Sequence, residues 1–355
     1  MKRVAIIGTV GVPACYGGFE TLAENLVSFC DKDTAYTVWC SSKAYPERLK
    51  QYKGAQLRYI PLKANGAQST LFDFASMLGA LRSCDTMLIL GVSGCLFLPL
   101  IRLLFKGKIV VNIDGLEHRR EKWGKLARKF LLASEKAAVR NADIIIADNK
   151  SIQEYVHQTY SRPAELIAYG GDGILCNVDA GRQAEILQQY GLETNGYAMA
   201  LCRIEPENNC HMILEAFAHS EGIPLLFVGN WDSSEYGRAL KRQYGSSPRI
   251  KLLNAIYDKQ VLYTLRSQTC CYIHGHSAGG TNPSLVEAMH FGRSILAFDC
   301  NYNRNSTFGK ALYFKNAEEL SDLLQQSLPS GAILQQLAQE HYTWEHIAHQ
   351  YTQLF

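Results

Sequence analysis

Residues His274 to Gly292 read HGHSAGGTNPSLVEAMHFG, a polar glycine-rich loop followed by an apolar-periodic run that holds one glutamate. Asn282 is placed to cap a helix, and Pro283 to occupy its first turn, where a missing N–H costs nothing. Gly279, Gly280 and Thr281 then leave backbone N–H groups just ahead of a helix start, an arrangement that favours an anion. Glu287 falls about one turn inside. A carboxylate there would repel a phosphate at the same place, but it can accept hydrogen bonds from two neighbouring hydroxyls, as on a ribose. Phosphates at the helix mouth and a ribose one turn along describe a nucleoside diphosphate. The plain alternative is that Glu287 is a capping or surface acid. His276 serves as readily to satisfy the loop as to line a site.

Three other stretches carry chemistry. GTVGVPACYGGFETLAENL follows the first apolar run, and its Gly17-Gly18 pair lets a backbone approach a ligand closely ahead of a helix. Gly8 reads equally as a plain turn. The spacing fits neither a dinucleotide fingerprint nor a Walker loop, because the paired glycines come too late and no GK[ST] follows. LCRIEPENNCHMILEAF puts Arg203 just past another apolar run, where a guanidinium can hold a diphosphate through paired hydrogen bonds or form a surface pair with Glu205 or Glu207. NIDGLEHRREKWGK offers Asp114, Glu117 and His118 at a third such position, with Asp114 alternatively capping a turn beside Gly115. FVGNWDS, Phe227 to Ser233, is either a simple loop or a ligand contact.

The elements that must position these residues alternate. Val4–Gly8, Thr37–Cys40, Leu57–Ile60, Thr86–Leu90, Ile109–Ile113 and Ile144–Ala147 read as buried strands, with helices at 19–30, 71–82, 122–140 and 151–160 between them. The pattern restarts with strands Tyr197–Leu201, Leu225–Val228, Ile250–Leu253, Cys271–Ile273 and Ser294–Phe298, and helices at 210–219, 236–244, 258–266, 284–290 and 317–326. Continuous apolar strands separated by helices imply parallel sheets covered on both faces. The fold class is therefore α/β, with two doubly wound, Rossmann-like domains facing a cleft, joined near Ile167–Gly173. In such sheets ligands sit beyond the carboxyl ends of the strands, which is where the motifs fall.

The 355-residue chain is 47% hydrophobic with a net charge of +3, a globular composition that gives no argument for nucleic acid. Its 11 cysteines show no repeated metal-binding spacing and read as buried small residues of a reducing compartment, with a zinc site at Cys270-Cys271 as the minor alternative. Residues 86–105 approach the length of a membrane span, but Gly91, Gly94, Pro99 and Arg102 break it into a strand, a turn and an apolar helix.

Together, GTVGVPACYGGFE, NIDGLEHRREKWG, CRIEPENN and HGHSAGGTNPSLVEAM resemble family 4 of the retaining glycosyltransferases, of GT-B fold, and within it the bacterial rhamnosyltransferase-type branch. The resemblance covers nearly the whole chain. It implies an acceptor-side domain over residues 1–170, a nucleotide-sugar domain over 171–340, and a terminal helix over 341–355 that crosses back to the first domain and is anchored by Trp344. It implies transfer of a sugar, in the first instance L-rhamnose from dTDP-L-rhamnose, to a lipid-linked saccharide in polysaccharide synthesis.

Gly17 and Gly18 would then lie over the donor phosphates, Arg203 on the diphosphate and Glu287 on the ribose. Gly280, Thr281 and Asn282 would take the distal phosphate and the departing sugar. Asp114, Glu117 and His118 would position acceptor or sugar, while a leaving-phosphate oxygen takes the acceptor proton.

The chain departs from the family at Gly279 and Asn208, where an acid and a lysine are usual, and at His118, where the branch often has tryptophan. No cofactor or metal is expected, since Arg203 and helix-end N–H groups, assisted by Arg119 or Arg120, would meet the phosphate charge. A UDP- or GDP-sugar donor, a sugar-nucleotide epimerase and a non-catalytic nucleotide-sugar scaffold are the other readings. The run RREKWGKLARKFLLASEKAAVR, with Trp123, Leu126 and Phe130 on one face, reads either as a patch for an anionic membrane surface or as a core helix with a solvated basic face. A cytoplasmic protein, peripheral on the inner face of the plasma membrane, is the corresponding location.

Overall fold

A computed structural model describes residues 1–15, 17–120, 123–219 and 222–355. Glu121 and Lys122, within the basic run, lie outside them. The chain forms two compact units: Met1–Tyr169 with Trp344–Phe355, and Gly170–Thr343.

The first unit is built on β1 (Lys2–Ile7), β2 (Thr34–Ser41), β3 (Gln51–Tyr52), β4 (Ala55–Ile60), β5 (Thr86–Leu90), β6 (Lys108–Asn112), β7 (Ile144–Ala147) and β8 (Glu165–Leu166). They form one sheet in the order β3-β4-β2-β1-β5-β6-β7-β8, parallel except for the short β3–β4 pair. The chain runs outward from β1 to β4 and then returns to β5 on the other side of β1. The turn of direction falls between β1 and β5, where doubly wound sheets open a crevice. Gly8 sits at that junction, with φ of 91°, and a Cβ there would lie 2.1 Å from the Leu90 carbonyl oxygen. Close strand-end packing thus accounts for Gly8.

The C-terminal helix, Trp344–Gln353, completes this unit's core. Trp344, Ile347, Tyr351 and Phe355 are buried with Val4, Ile6, Leu22, Leu26, Val38 and Val110.

The second unit carries β9 (Ala198–Leu201), β10 (Leu225–Val228), β11 (Ile250–Leu253), β12 (Cys271–His274), β13 (Ser294–Phe298) and β14 (Leu312–Phe314). The sheet is entirely parallel, in the order β11-β10-β9-β12-β13-β14, so its direction changes between β9 and β12. Arg203 follows β9 and the glycine loop follows β12. The two motifs therefore flank the crevice of this sheet.

Two sequence expectations need correction, on the cysteines and on the basic helix. All 11 cysteines are free, but Cys15 and Cys30 are exposed rather than buried. The basic helix begins at Lys125, not Lys122, so Trp123 precedes it and shares no helical face with Leu126 and Phe130. Trp123 instead donates Nε1–H to Glu117 Oε2 at 3.0 Å. The apolar helix Leu98–Leu104 leaves Leu100, Leu103 and Leu104 exposed.

Candidate functional site

In the second unit the two strand-end loops are laced together. Asn208 is buried and donates Nδ2–H to the Arg203 carbonyl at 2.7 Å, while its Oδ1 accepts from His276 Nδ1 at 2.6 Å. Ser277 donates both N–H and Oγ–H to the Glu207 carbonyl at 2.9 Å, and Asn209 Nδ2 reaches the Gly275 carbonyl at 2.8 Å. A Cβ on Gly275 would fall 2.2 Å from the Asn208 carbonyl oxygen, which is why the loops can close on each other there. Asn208, where the motif resemblance would place a lysine, is thus a bracket that fixes both loops. His276 belongs to the same bracket.

Arg203 emerges from this lattice half-exposed, 3.7 Å from Glu205 Oε1. A pair that long and that wet contributes little, so the guanidinium is available to an anion. His274, the last residue of β12, is buried. Burial and then the neighbouring His276 hold its imidazole well below the ordinary value, so it stays neutral and adds no cation.

The loop ends at Asn282, whose Oδ1 accepts from Ser284 N at 3.0 Å and Ser284 Oγ at 2.8 Å, the expected N-cap. Gly279 has φ of 99°, a conformation suited to glycine; Gly280 is partly exposed and Thr281 is buried. The helix Pro283–Met289 follows, with Glu287 on it 30% exposed. Its Oε2 accepts from Arg266 Nη2 at 2.7 Å. Arg266 stands at the end of the helix Lys259–Ser267 and is 3% exposed.

In the first unit, the loop after β1 contains its own anion. Glu20 is buried; its Oε1 accepts from Val10 N at 2.7 Å and Thr9 Oγ1 at 3.1 Å. Gly17 has φ of 122°, and a Cβ there would lie 2.1 Å from Glu20 Oε2. This glycine makes room for the Glu20 carboxylate. Gly18 begins the helix Gly18–Ser28.

After β6, Asn112 holds the next loop. Its Oδ1 accepts from Asp114 N at 2.9 Å, its Nδ2 donates to Tyr351 Oη at 2.7 Å, and Asp114 has φ of 61°. That left-handed backbone is uncommon outside glycine. Glu117 has both oxygens engaged, by Arg120 Nε at 2.8 Å and by Trp123. His118 donates Nδ1–H to Glu135 Oε2 at 2.9 Å. Glu135 is buried and also accepts from Tyr155 and Tyr160 hydroxyls, each at 2.7 Å. The dyad leaves His118 Nε2 as the ring's other polar atom. Arg120 is paired with Glu117, and Arg119 lies over the Tyr155 ring at 4.8 Å, so both have local partners.

The structure therefore gathers Arg203, Gly280, Thr281, Asn282 and Glu287 around one sheet crevice, and Asp114, Glu117 and His118 on one loop of the other unit. The pattern of types disclosed neither Arg266 nor Glu135. Their partners lie 21 and 17 residues away. Among the described residues no group of three or more His, Cys, Asp or Glu side chains is placed to hold a metal ion.

Comparison places this architecture among the GT-B glycosyltransferase structures. A sucrose-phosphate synthase from Thermosynechococcus elongatus matches all of this chain and 98% of its own, with a TM-score of 0.81 at 17% identity. HepE from Anabaena, solved with UDP, matches all of this chain and 99% of its own, with a TM-score of 0.76 at 14% identity. A glycosyltransferase from Rickettsia africae matches 99% of this chain and 97% of its own, with a TM-score of 0.69 at 12% identity. No curated protein matches.

Residues 182–344 match the family described as "Glycosyl transferases group 1", and residues 1–172 match a "Domain of unknown function (DUF1972)". The chain thus pairs a segment that matches DUF1972 with one that matches the group 1 glycosyltransferases, on an architecture shared with GT-B structures.

Proposed function

We propose that this glycosyltransferase binds a nucleoside-diphosphate sugar on its second unit and transfers the sugar with retention to a lipid-linked saccharide. The observation that carries the reading is the bracketed pair of loops at the β9–β12 crevice. It offers a half-exposed guanidinium, a capped helix start and a carboxylate one turn inside, within a group 1 glycosyltransferase domain.

Arg203 meets the diphosphate, and the backbone of Gly280, Thr281 and Asn282 holds the distal phosphate and the departing sugar. Glu287 receives the ribose hydroxyls. The motif resemblance supports a role for Gly17 and Gly18 toward the donor phosphates. Charge that develops on the leaving diphosphate is stabilised by these donors, and its oxygen takes the acceptor proton. Asp114 and His118 position acceptor or sugar, while Glu117 maintains their turn. The reaction proceeds without a metal ion.

The motif resemblance favours dTDP-L-rhamnose as donor. A UDP-sugar is the second reading, supported by two observations. HepE has been solved with UDP and with UDP-glucose. Glu287 also suits a pair of hydroxyls, and a deoxyribose presents only one.

A peripheral membrane location is supported by the exposed Leu100, Leu103 and Leu104 and by Leu126 and Phe130 among the basic residues Lys125 and Lys129. Among the described residues no helix is long and apolar enough to cross a membrane.

Calorimetric titration with dTDP, UDP, GDP and NAD, repeated on Glu287→Ala and in excess EDTA, tests the proposal. A nucleoside diphosphate bound tightly, weakened about tenfold or more in the variant and indifferent to EDTA, is the expected result. Preference for UDP or GDP would discard rhamnose alone. Binding of NAD only, or binding indifferent to Glu287, would overturn the reading.

A further inference from the structure

The Arg266–Glu287 pair is built in an unusual way. The guanidinium is 3% exposed, the carboxylate 30%. Among the described residues, Nε and Nη1 of Arg266 have no hydrogen-bond partner at all. The buried cation is held by one contact, Nη2 to Glu287 Oε2 at 2.7 Å, above the Tyr272 ring with Cζ 6.0 Å from its centroid. An arginine kept only for stability would satisfy more of its five donors, because buried N–H groups without partners are unfavourable. The contact instead fixes the Glu287 side chain. Oε2 is held from below, and Oε1 has no protein partner among the described residues.

We propose that Arg266 is a positioning residue for nucleotide recognition. By clamping Oε2 it selects the Glu287 conformation that directs Oε1 at the ribose hydroxyls, so that the carboxylate is ordered before the ligand arrives. A glutamate on a helix otherwise samples several conformers, and ordering it at binding weakens affinity. The inference rests on the ribose role of Glu287 proposed above, and the test separates the two.

The full chain is titrated with whichever of UDP, GDP or dTDP it binds tightest, and with the analogue of that nucleotide lacking the ribose hydroxyls. Arg266→Met should weaken the parent nucleotide about tenfold and the deoxygenated analogue less than twofold. Arg266→Lys should recover part of the loss, and Arg266→Met in a Glu287→Ala background should add none. Equal weakening of both ligands, an unchanged affinity for the parent, or additive losses in the double variant would overturn the proposal while leaving the ribose role of Glu287 intact. If Arg266→Met does not fold, Arg266→Lys carries the same comparison of the two ligands. If the wild-type chain binds parent and analogue equally, Glu287 itself does not read the ribose, and both inferences fall.

Discussion

Asp73 offers a pH test of the first unit. It lies on the helix Ser69–Ala80, is 3% exposed, and accepts from Ser93 Oγ at 2.5 Å in the turn that follows β5. A Cβ on Gly94 would lie 2.2 Å from the Asp73 Cβ, so the carboxyl is packed tightly against that turn. Burial pushes its pKa from 3.8 up to about 7, against the pull of the Ser93 and Gly94 donors.

The folded state therefore holds a proton that the unfolded chain releases near pH 4. The stabilisation is fully present below that point and is lost as pH rises through about 7. A displacement of about three units, at about 1.4 kcal/mol each, sets a ceiling on the order of 4 kcal/mol. Asp73→Asn removes the titration and keeps the shape. The difference in stability between wild type and variant should shift toward the variant by up to that amount between pH 4 and 7. Carboxyls displaced downward, such as Asp85 at about 2 beside Arg3, act in the opposite sense but cancel in the difference. Any unpaired amide in the variant adds an offset that does not change with pH. Hydrogen exchange of the Met87–Leu90 amides reads this unit locally, without assuming a single unfolding transition. A difference that is flat from pH 4 to 7, or one that moves toward the wild type, would refute the reasoning.

Three further expectations concern other parts of the molecule. Arg203→Ala should weaken a nucleoside diphosphate about tenfold while leaving the free nucleoside unaffected, as charge-assisted bonds to phosphate require; equal effects on both would remove Arg203 from the diphosphate. Ending the chain before Thr343 should lower the melting temperature, and Tyr351→Phe, which strips the Asn112 amide of its partner, should cost about 1–3 kcal/mol; unchanged melting of the truncated chain would show that Trp344–Phe355 contributes nothing to the first unit. Neutralising Lys125, Arg128 and Lys129 together should reduce sedimentation with anionic vesicles but not with neutral ones; binding that survives intact would remove the membrane role of that helix.

Much of the scaffold was readable in the chain. Thr86–Leu90, Ile144–Ala147, Leu225–Val228 and Ser294–Phe298 have the bounds their apolar runs announce, because strands buried on both faces carry little but apolar residues. The helices Ala180–Gln189, Asn301–Ser306 and Ala332–His341 were not anticipated, since each buries only two residues and leaves a weak apolar signal. At the candidate site, residue type and strand-end position point to Arg203, Asn282 and Glu287 as candidates. What they touch was not legible. Arg266 sits in an ordinary helix pattern, and only the folded chain brings it to Glu287, 21 residues on. Asn208 looked like a lost lysine, whereas its short amide is what bridges Arg203 and His276. Glu20 was visible as an acid after two glycines, but not as the group that fills their loop.

The return of the last helix to the first unit has a consequence for synthesis. On the ribosome, β1 to β8 emerge before the second unit, yet the side chains of Trp344, Ile347, Tyr351 and Phe355 that close their core emerge only after it. The second unit is contiguous and can finish while its predecessor waits with an apolar face uncovered. The usual N-terminal-first order of domain maturation is thereby reversed. During that interval the nascent chain presents a surface of the kind that chaperones hold, and the loop carrying Asp114 lacks the Tyr351 hydroxyl behind it until the last helix has emerged.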